Sequence, residues 1–159
     1  MSDSDSRTTA IYIAAPEGDT GKSTIAMGIL NRLCATVPRV GIFRPITRMG
    51  ESRDYIAELL LAQTTAGLGY EESVGVSYQQ LHEDPDTALV TIVDRYHAVA
   101  DRCDAVLIVG SDYTDVATPS ELSVNARIAA NLGAPVVLAV RAAGRTPAEV
   151  ADVARVCLA

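Results

Sequence analysis

The stretch APEGDTGKST, residues 15–24, decides the fold prediction for this chain. Its segment Gly21-Lys22-Ser23 matches the end of the phosphate-loop pattern G-x-x-x-x-G-K-[ST]. An apolar run precedes the stretch and an amphipathic pattern follows it, which is the strand-to-helix setting that the motif requires. The stretch therefore predicts a loop whose backbone N–H groups hold a phosphate. The alternative is a glycine turn that happens to precede a helix.

The loop departs from the usual pattern at one position and carries two acids where the pattern accepts any residue. Pro16 replaces the first glycine and lacks a backbone N–H, while Glu17 and Asp19 add carboxylates to a loop that would bind an anion. A magnesium nucleotide would reduce the repulsion from these acids. Lys22 is expected to reach the outer phosphates, and the Ser23 hydroxyl to ligate Mg²⁺. The candidate phosphate-binding residues of the loop are Gly18, Asp19, Thr20, Gly21, Lys22, Ser23 and Thr24.

Apolar and amphipathic segments alternate along the rest of the chain. Strands are predicted at 10–15, 39–46, 104–110 and 134–140, with a weaker one near 74–78. Helices are predicted at 22–37, 52–67, 84–103, 118–133 and 146–159, and the last three begin with Asp-Pro or Thr-Pro caps. This order is typical of a three-layer α/β fold, with a mostly parallel sheet and helices on both faces.

Length and composition limit the classes of function. The 159 residues suit one domain, and 48% hydrophobic but only 4% aromatic content predicts an aliphatic core. A net charge of −7 argues against a nucleic-acid or membrane partner, and three scattered cysteines favour a reducing, cytoplasmic setting. A disordered lead is predicted over 1–9, followed by one domain over 10–159. Because the last predicted helix runs to the final residue, the chain is interpreted as a fragment truncated at its C-terminus.

The loop, together with FRPITR at 43–48, resembles dethiobiotin synthetase and its relatives. The loop of that family, G-T-D-T-x-V-G-K-T, places its acid at Glu17, and its strand ending F-K-P-I corresponds to FRPI. P-loop ATPases that partition DNA carry a signature lysine where this chain has Glu17, which argues against that branch. The resemblance implies a P-loop NTPase-like fold that binds Mg-ATP or another nucleotide.

A longer resemblance covers nearly the whole chain. The runs FRPI (43–46), IVDRYHAVADRCDAVLIVG (92–110), SVNARIAANLGAPVVLAV (123–140) and GRTPAEV (144–150) resemble the N-terminal domain of long-form phosphate acetyltransferases. In those enzymes a dethiobiotin-synthetase-like domain precedes a regulatory segment and a C-terminal catalytic domain. The resemblance implies that the full-length chain contains this acetyltransferase domain as a partner. It also implies a homo-oligomer.

The resemblance to the synthetase also implies residue roles outside the loop. Arg44 corresponds to a lysine that contacts substrate and phosphate, and Asp54 lies near a magnesium-binding aspartate. Gly110 replaces a metal-binding glutamate, and Asp112 could take over from the following turn. The candidate magnesium ligands are therefore Ser23, Asp54 and Asp112. The alternatives are a solvated Asp54 in the first turn of a helix, a surface salt bridge for Arg44 and a plain polar turn at Asp112.

Three hypotheses about function follow from these patterns. The first is a regulatory, nucleotide-binding domain of phosphate acetyltransferase, which interconverts acetyl-CoA plus phosphate with acetyl phosphate plus CoA; no catalytic residue is assigned to the domain itself. The second is a stand-alone ATP-dependent ligase similar to dethiobiotin synthetase. The third is a structural oligomerisation domain, for which Asn125 and Arg127 are candidate packing residues.

Overall fold

In the computed structural model, which describes residues 8–48, 52–111 and 121–159, five strands form one all-parallel sheet. The strands are β1 (Thr9–Ala14), β2 (Val40–Thr47), β3 (Val74–Ser77), β4 (Ala105–Val109) and β5 (Val136–Leu138), in the spatial order β3-β2-β4-β1-β5. The helices are α1 (Lys22–Cys34), α2 (Tyr55–Leu61), α3 (Tyr70–Ser73), α4 (Tyr78–Glu83), α5 (Pro85–Ala100), α6 (Glu121–Leu132) and α7 (Pro147–Leu158). The predicted α/β class is confirmed.

Helices cover both faces of the sheet, and its buried side chains accordingly form two separate clusters, one on each face. One cluster joins the sheet to α5 and α6 and includes Tyr12, Phe43, Ile92, Ile108 and Ile128. The other joins it to α1 and α2 and includes Ile13, Leu30, Ile42, Leu60 and Leu107. Every residue of β4 is buried, as expected for a central parallel strand with helices on both sides.

Strands β1 and β2 differ slightly from the predicted segments. β1 begins at Thr9, and the Thr8 hydroxyl already donates to the carbonyls of Ala100 (2.8 Å) and Cys103 (2.9 Å), so the ordered domain starts before the predicted boundary at residue 10. β2 continues through Pro45 to Thr47, one residue beyond the predicted end at residue 46. The strand tolerates this proline because β4 pairs only with its first half and β3 only with its second.

The helix predicted at 52–67 is much shorter in the structure. α2 starts after Asp54, whose carboxylate accepts from the backbone N–H of Ala57 at 2.9 Å, and it ends at Leu61. The chain leaves the helix because Thr65 is bonded to β2: its hydroxyl accepts from the N–H of Val40 at 2.9 Å, and its own N–H donates to the Val40 carbonyl at 3.0 Å. These tertiary bonds override the local helical pattern.

The strand predicted at 134–140 is reduced to the three residues of β5, of which Val136 and Val137 are exposed, while the remaining elements lie close to the predicted segments or add to them. Asp84 and Thr146 cap α5 and α7 as predicted, each accepting from a backbone N–H three residues later. The short helices α3 and α4, on either side of β3, were not predicted. The predicted cap of the 118–133 helix lies outside the described residues. Within the described ranges, no helix combines the length and apolar character needed to cross a bilayer.

Candidate phosphate-binding site

The predicted loop joins β1 to α1 at the carboxyl end of the sheet, where open α/β folds bind their ligands. Gly21 adopts a left-handed conformation (φ 77°) as the residue before α1, and Asp19 does the same (φ 55°). Gly21 has no side chain with which to cap α1, and the first turn of this helix contains no acidic residue. The positive end of the helix dipole therefore faces the loop, and no acidic side chain in the first turn of α1 offsets it.

Lys22 is buried, with only 3% of the residue exposed, and it is the only lysine in the chain. Its ammonium donates a hydrogen bond to the backbone carbonyl of Gly110, just beyond β4. The side chain therefore lies across the carboxyl end of the sheet. The other loop residues with predicted roles are half-buried at Gly18, Thr20 and Ser23 and exposed at Asp19, Gly21 and Thr24.

Arg44 brings a second cation to the same carbonyl. Its Nη1 donates to the carbonyl oxygens of Gly110 at 2.6 Å and Val109 at 3.2 Å, and the residue is 3% exposed. The geometry therefore combines Lys22 and Arg44, which were predicted from separate motifs, into one cationic site. Such a pair next to a helix N-terminus suits a phosphate group.

Asp54 is buried rather than solvated, and both of its carboxylate oxygens have partners within the protein. One carboxylate oxygen caps α2, and the other lies 3.2 Å from Nε of Arg44 in a salt bridge whose side chains are only 3% and 5% exposed. The backbone N–H of Asp54 donates to the Tyr70 hydroxyl at 2.7 Å. The salt bridge predicted as an alternative for Arg44 is thus present, but it is buried rather than on the surface.

Gly110 occupies the position where the resemblance places a metal-binding glutamate, and the space beside it is already filled. A Cβ at this position would overlap Oδ1 of Asn125 and would lie 2.9 Å from Cε1 of Tyr12. Asn125 is fully buried and accepts from the Tyr12 hydroxyl at 2.7 Å and from the N–H of Ser111 at 3.2 Å. Burial raises the pKa of Tyr12, which keeps its hydroxyl protonated as the donor.

This position of Asn125 corrects the prediction that it packs against another subunit. Its side-chain amide also donates to the carbonyls of Glu121 at 2.9 Å and Ser111 at 3.3 Å, so all its bonds lie within the domain. Arg127 forms an exposed ion pair with Asp86 of α5, and its role in subunit packing stays a prediction. No sequence signal identified Asn125 and Tyr12 as neighbours, because a helical asparagine and a strand tyrosine match no motif.

Glu17, one of the two acids in the loop, is neutralised by Arg145. The guanidinium contacts both carboxylate oxygens, with Nη2 2.9 Å from Oε2, and this hydrogen bonding lowers the pKa of Glu17. Arg145 follows β5, and its Nη1 also donates to the carbonyl of Arg141 at 3.0 Å. The ion pair therefore connects the loop after β1 to the loop after β5 and offsets one of the negative charges that oppose anion binding.

The described residues provide fewer groups for a metal than for a phosphate. In the ranges 8–48, 52–111 and 121–159, no three His, Cys, Asp or Glu side chains cluster closely enough to hold a metal ion. Asp112, the third predicted ligand, lies outside the described residues. Among the residues that the structure describes, the buried Ser111 hydroxyl has no hydrogen-bond partner, so a polar atom next to Gly110 remains available to a ligand.

Comparisons with known proteins give results that agree with this architecture. A protein-family model described as an AAA domain matches residues 9–157, which include the loop and Gly110. Over 135 residues, or 80% of its length, the chain is 33% identical to a phosphate acetyltransferase of Nitratidesulfovibrio vulgaris. Over 149 residues, or 89%, it is 30% identical to a phosphate acetyltransferase of Synechocystis sp.. The chain spans only about a fifth of the length of these relatives, 19% and 21% respectively.

Proposed function

Because this chain belongs to the AAA domain family, we propose that it is a nucleotide-binding regulatory module of a phosphate acetyltransferase and catalyses no acetyl transfer itself. Lys22 and Arg44 converge on one carbonyl beside the phosphate loop, and this convergence carries the nucleotide-binding part of the proposal. The similarity to two phosphate acetyltransferases supports the assignment to that enzyme. The module would act in the cytoplasm, beside an acetyltransferase domain and within a homo-oligomer.

Binding without chemistry is supported by the surroundings of Gly110. Phosphoryl transfer needs a metal held in place by anionic ligands. Position 110 offers no carboxylate and no room for one, and Asp54 is already paired with Arg44. A nucleotide would bring its own Mg²⁺, for which the Ser23 hydroxyl is the candidate protein ligand. The ligase hypothesis therefore loses support, since its reaction would need this metal in a fixed position.

Calorimetric titration of ATP and ADP, with and without Mg²⁺, tests nucleotide binding. We expect binding in the wild type and at least tenfold weaker binding in Lys22→Ala, because one charge-assisted contact to phosphate is lost. Arg32→Ala is a matched control, since it removes a cation from the last turn of the same helix, away from the loop. Equal affinity in Lys22→Ala and Arg32→Ala would overturn the proposal, as would the absence of binding at millimolar nucleotide.

The single lysine provides a second, direct measurement. Reductive methylation with ¹³C-formaldehyde targets primary amines, which in this sequence are the Lys22 side chain and the N-terminal amine, and the spectrum of Lys22→Ala identifies the lysine signal. We expect ATP to shift the dimethyl-lysine signal and to protect unmodified Lys22 from methylation. A signal that does not respond to saturating nucleotide would place the binding site elsewhere.

A further inference from the structure

A polar cavity, separate from the phosphate loop, opens at the carboxyl ends of β2 and β3. It has a volume of about 430 Å³, within the range of small-molecule sites. Its wall runs from Thr47 and Arg48 at the end of β2, past Arg53 and Tyr70, to Gly75 in β3 and Arg95 in α5. None of the residues 15–24 lines it, so it is a distinct site.

The cavity is locally basic in a chain of net charge −7. Three arginines, Arg48, Arg53 and Arg95, line it together with one carboxylate, that of Glu71. Glu58, which is not part of the lining, pairs weakly with Arg53 at 3.5 Å in an exposed ion pair. The neighbouring acid Glu72 does not line the cavity, because its carboxylate is bound to Arg102 and to the N–H of Gly69. This concentration of guanidinium groups favours an anionic ligand.

Two of these arginines are held in position by the protein. Nη1 of Arg95 donates to the carbonyls of Val74 at 3.1 Å and Glu71 at 3.4 Å, which leaves its other two nitrogens for a ligand. The Arg53 guanidinium lies 4.9 Å from the centre of the Tyr70 ring, in a cation–π contact. Preorganised donors bind at a lower entropic cost than mobile surface side chains.

The backbone of Gly75 contributes to the wall, and there is no space for a side chain at this position. A Cβ at this position would overlap the Pro45 carbonyl of the adjacent strand. The cavity therefore depends on close packing of β2 and β3 at a rigid edge of the sheet. A ligand here would contact the same strand, β2, that carries Arg44 to the phosphate loop.

We propose that this cavity binds a small organic anion with at least two oxyanion groups, held between Arg53 and Arg95. The shared chemistry is that of polycarboxylates and phosphate compounds, and the volume suits a metabolite rather than a peptide. The site goes beyond the proposed nucleotide function and does not require it. Its position on β2 would let an anionic metabolite influence the phosphate loop through Arg44.

Titrations of citrate and, separately, pyrophosphate at constant ionic strength test this site, because each probe carries at least two oxyanion groups, with calorimetry as the readout. We expect binding of at least one probe, weakened at least tenfold in both Arg53→Gln and Arg95→Gln, since each loses a charge-assisted contact. Arg53→Lys should restore part of the affinity. The probe that shows this loss identifies the carboxylate or the phosphate as the preferred group.

Arg155→Gln is the control, because this exposed arginine pairs with Asp152 on α7, away from the cavity. Urea unfolding of each variant shows whether it folds, and the exposed side chain of Arg53 makes that substitution the milder of the two. Lys22→Ala should bind citrate like the wild type, whatever its effect on nucleotide. Binding that is unchanged in both pocket variants, or reduced equally in Arg155→Gln, would overturn the proposal, as would no binding of either probe at millimolar concentration.

Discussion

The side chain of Asn125 fills the space that any side chain at position 110 would need. Its Oδ1 accepts from Tyr12 and from the N–H of Ser111, so the asparagine is fixed by buried hydrogen bonds and has little freedom to move aside. Packing between β1, α6 and the end of β4 therefore leaves no room for a carboxylate side chain at position 110. One substitution would not convert this site into a metal site.

Gly110→Ala should accordingly destabilise the domain by about 1–3 kcal/mol, because the added methyl group overpacks a buried polar network. Urea denaturation measures this difference. Gly28→Ala is the matched control: Gly28 is an exposed helical glycine with free space around it, so this change should stabilise the domain by about 0.5–1 kcal/mol. The loss of unfolding free energy caused by Gly110→Ala should be smaller when Asn125 is also replaced by alanine. An equal loss with and without Asn125 would show that this side chain does not clash with the added methyl group.

The buried Arg44–Asp54 pair should contribute strongly to stability. Asp54→Asn keeps a side-chain oxygen for capping α2 but leaves Arg44 as a buried cation with a weaker partner. We expect a loss of about 3 kcal/mol in the free energy of unfolding, measured by urea denaturation at pH 7. Asp152→Asn breaks an exposed ion pair and should change stability very little. Similar losses in the two variants would contradict a structural role for the buried pair.

The ion pair between Glu17 and Arg145 should make stability depend on pH in the acidic range. Arg145 lowers the pKa of Glu17 in the folded state, so the pair stabilises the fold above the usual glutamate pKa of 4.5. This contribution should be lost as the pH falls through the lowered value. The stability difference between the wild type and Arg145→Gln should therefore be present at pH 7 and vanish in acid, as measured by urea unfolding. Arg127→Gln removes the same charge from a distant helix, and an identical pH dependence in that variant would contradict the assignment.

Much of the fold could be predicted because its signals are local in sequence. The phosphate loop, the caps at Asp84 and Thr146, and the alternation of strands and helices depend on neighbouring residues and appear as motifs or periodic patterns. Helix 52–67 was overestimated because a bond between Thr65 and β2 ends it, and such a contact leaves no trace in periodicity.

The site itself depends on strand order, which no local pattern encodes. Arg145 reaches Glu17 because β5 lies next to β1, and Asn125 reaches Tyr12 because α6 packs against β1. Lys22 and Arg44 were predicted as separate ligands, but their common acceptor is fixed by the position of β4 between β1 and β2. Predicting these contacts requires the topology of the sheet.

The position of β1 between β4 and β5 also has a consequence for the order of folding. Thr9 pairs with Ala105 and Tyr12 with Val136, so β1 has no partner near it in the sequence. On a ribosome, this strand and the loop that follows it must wait until roughly a hundred further residues have been synthesised, and loop closure over such a distance is slow. The phosphate loop is thus synthesised well before the strands that pair with β1, and it reaches its native surroundings only after they have been made.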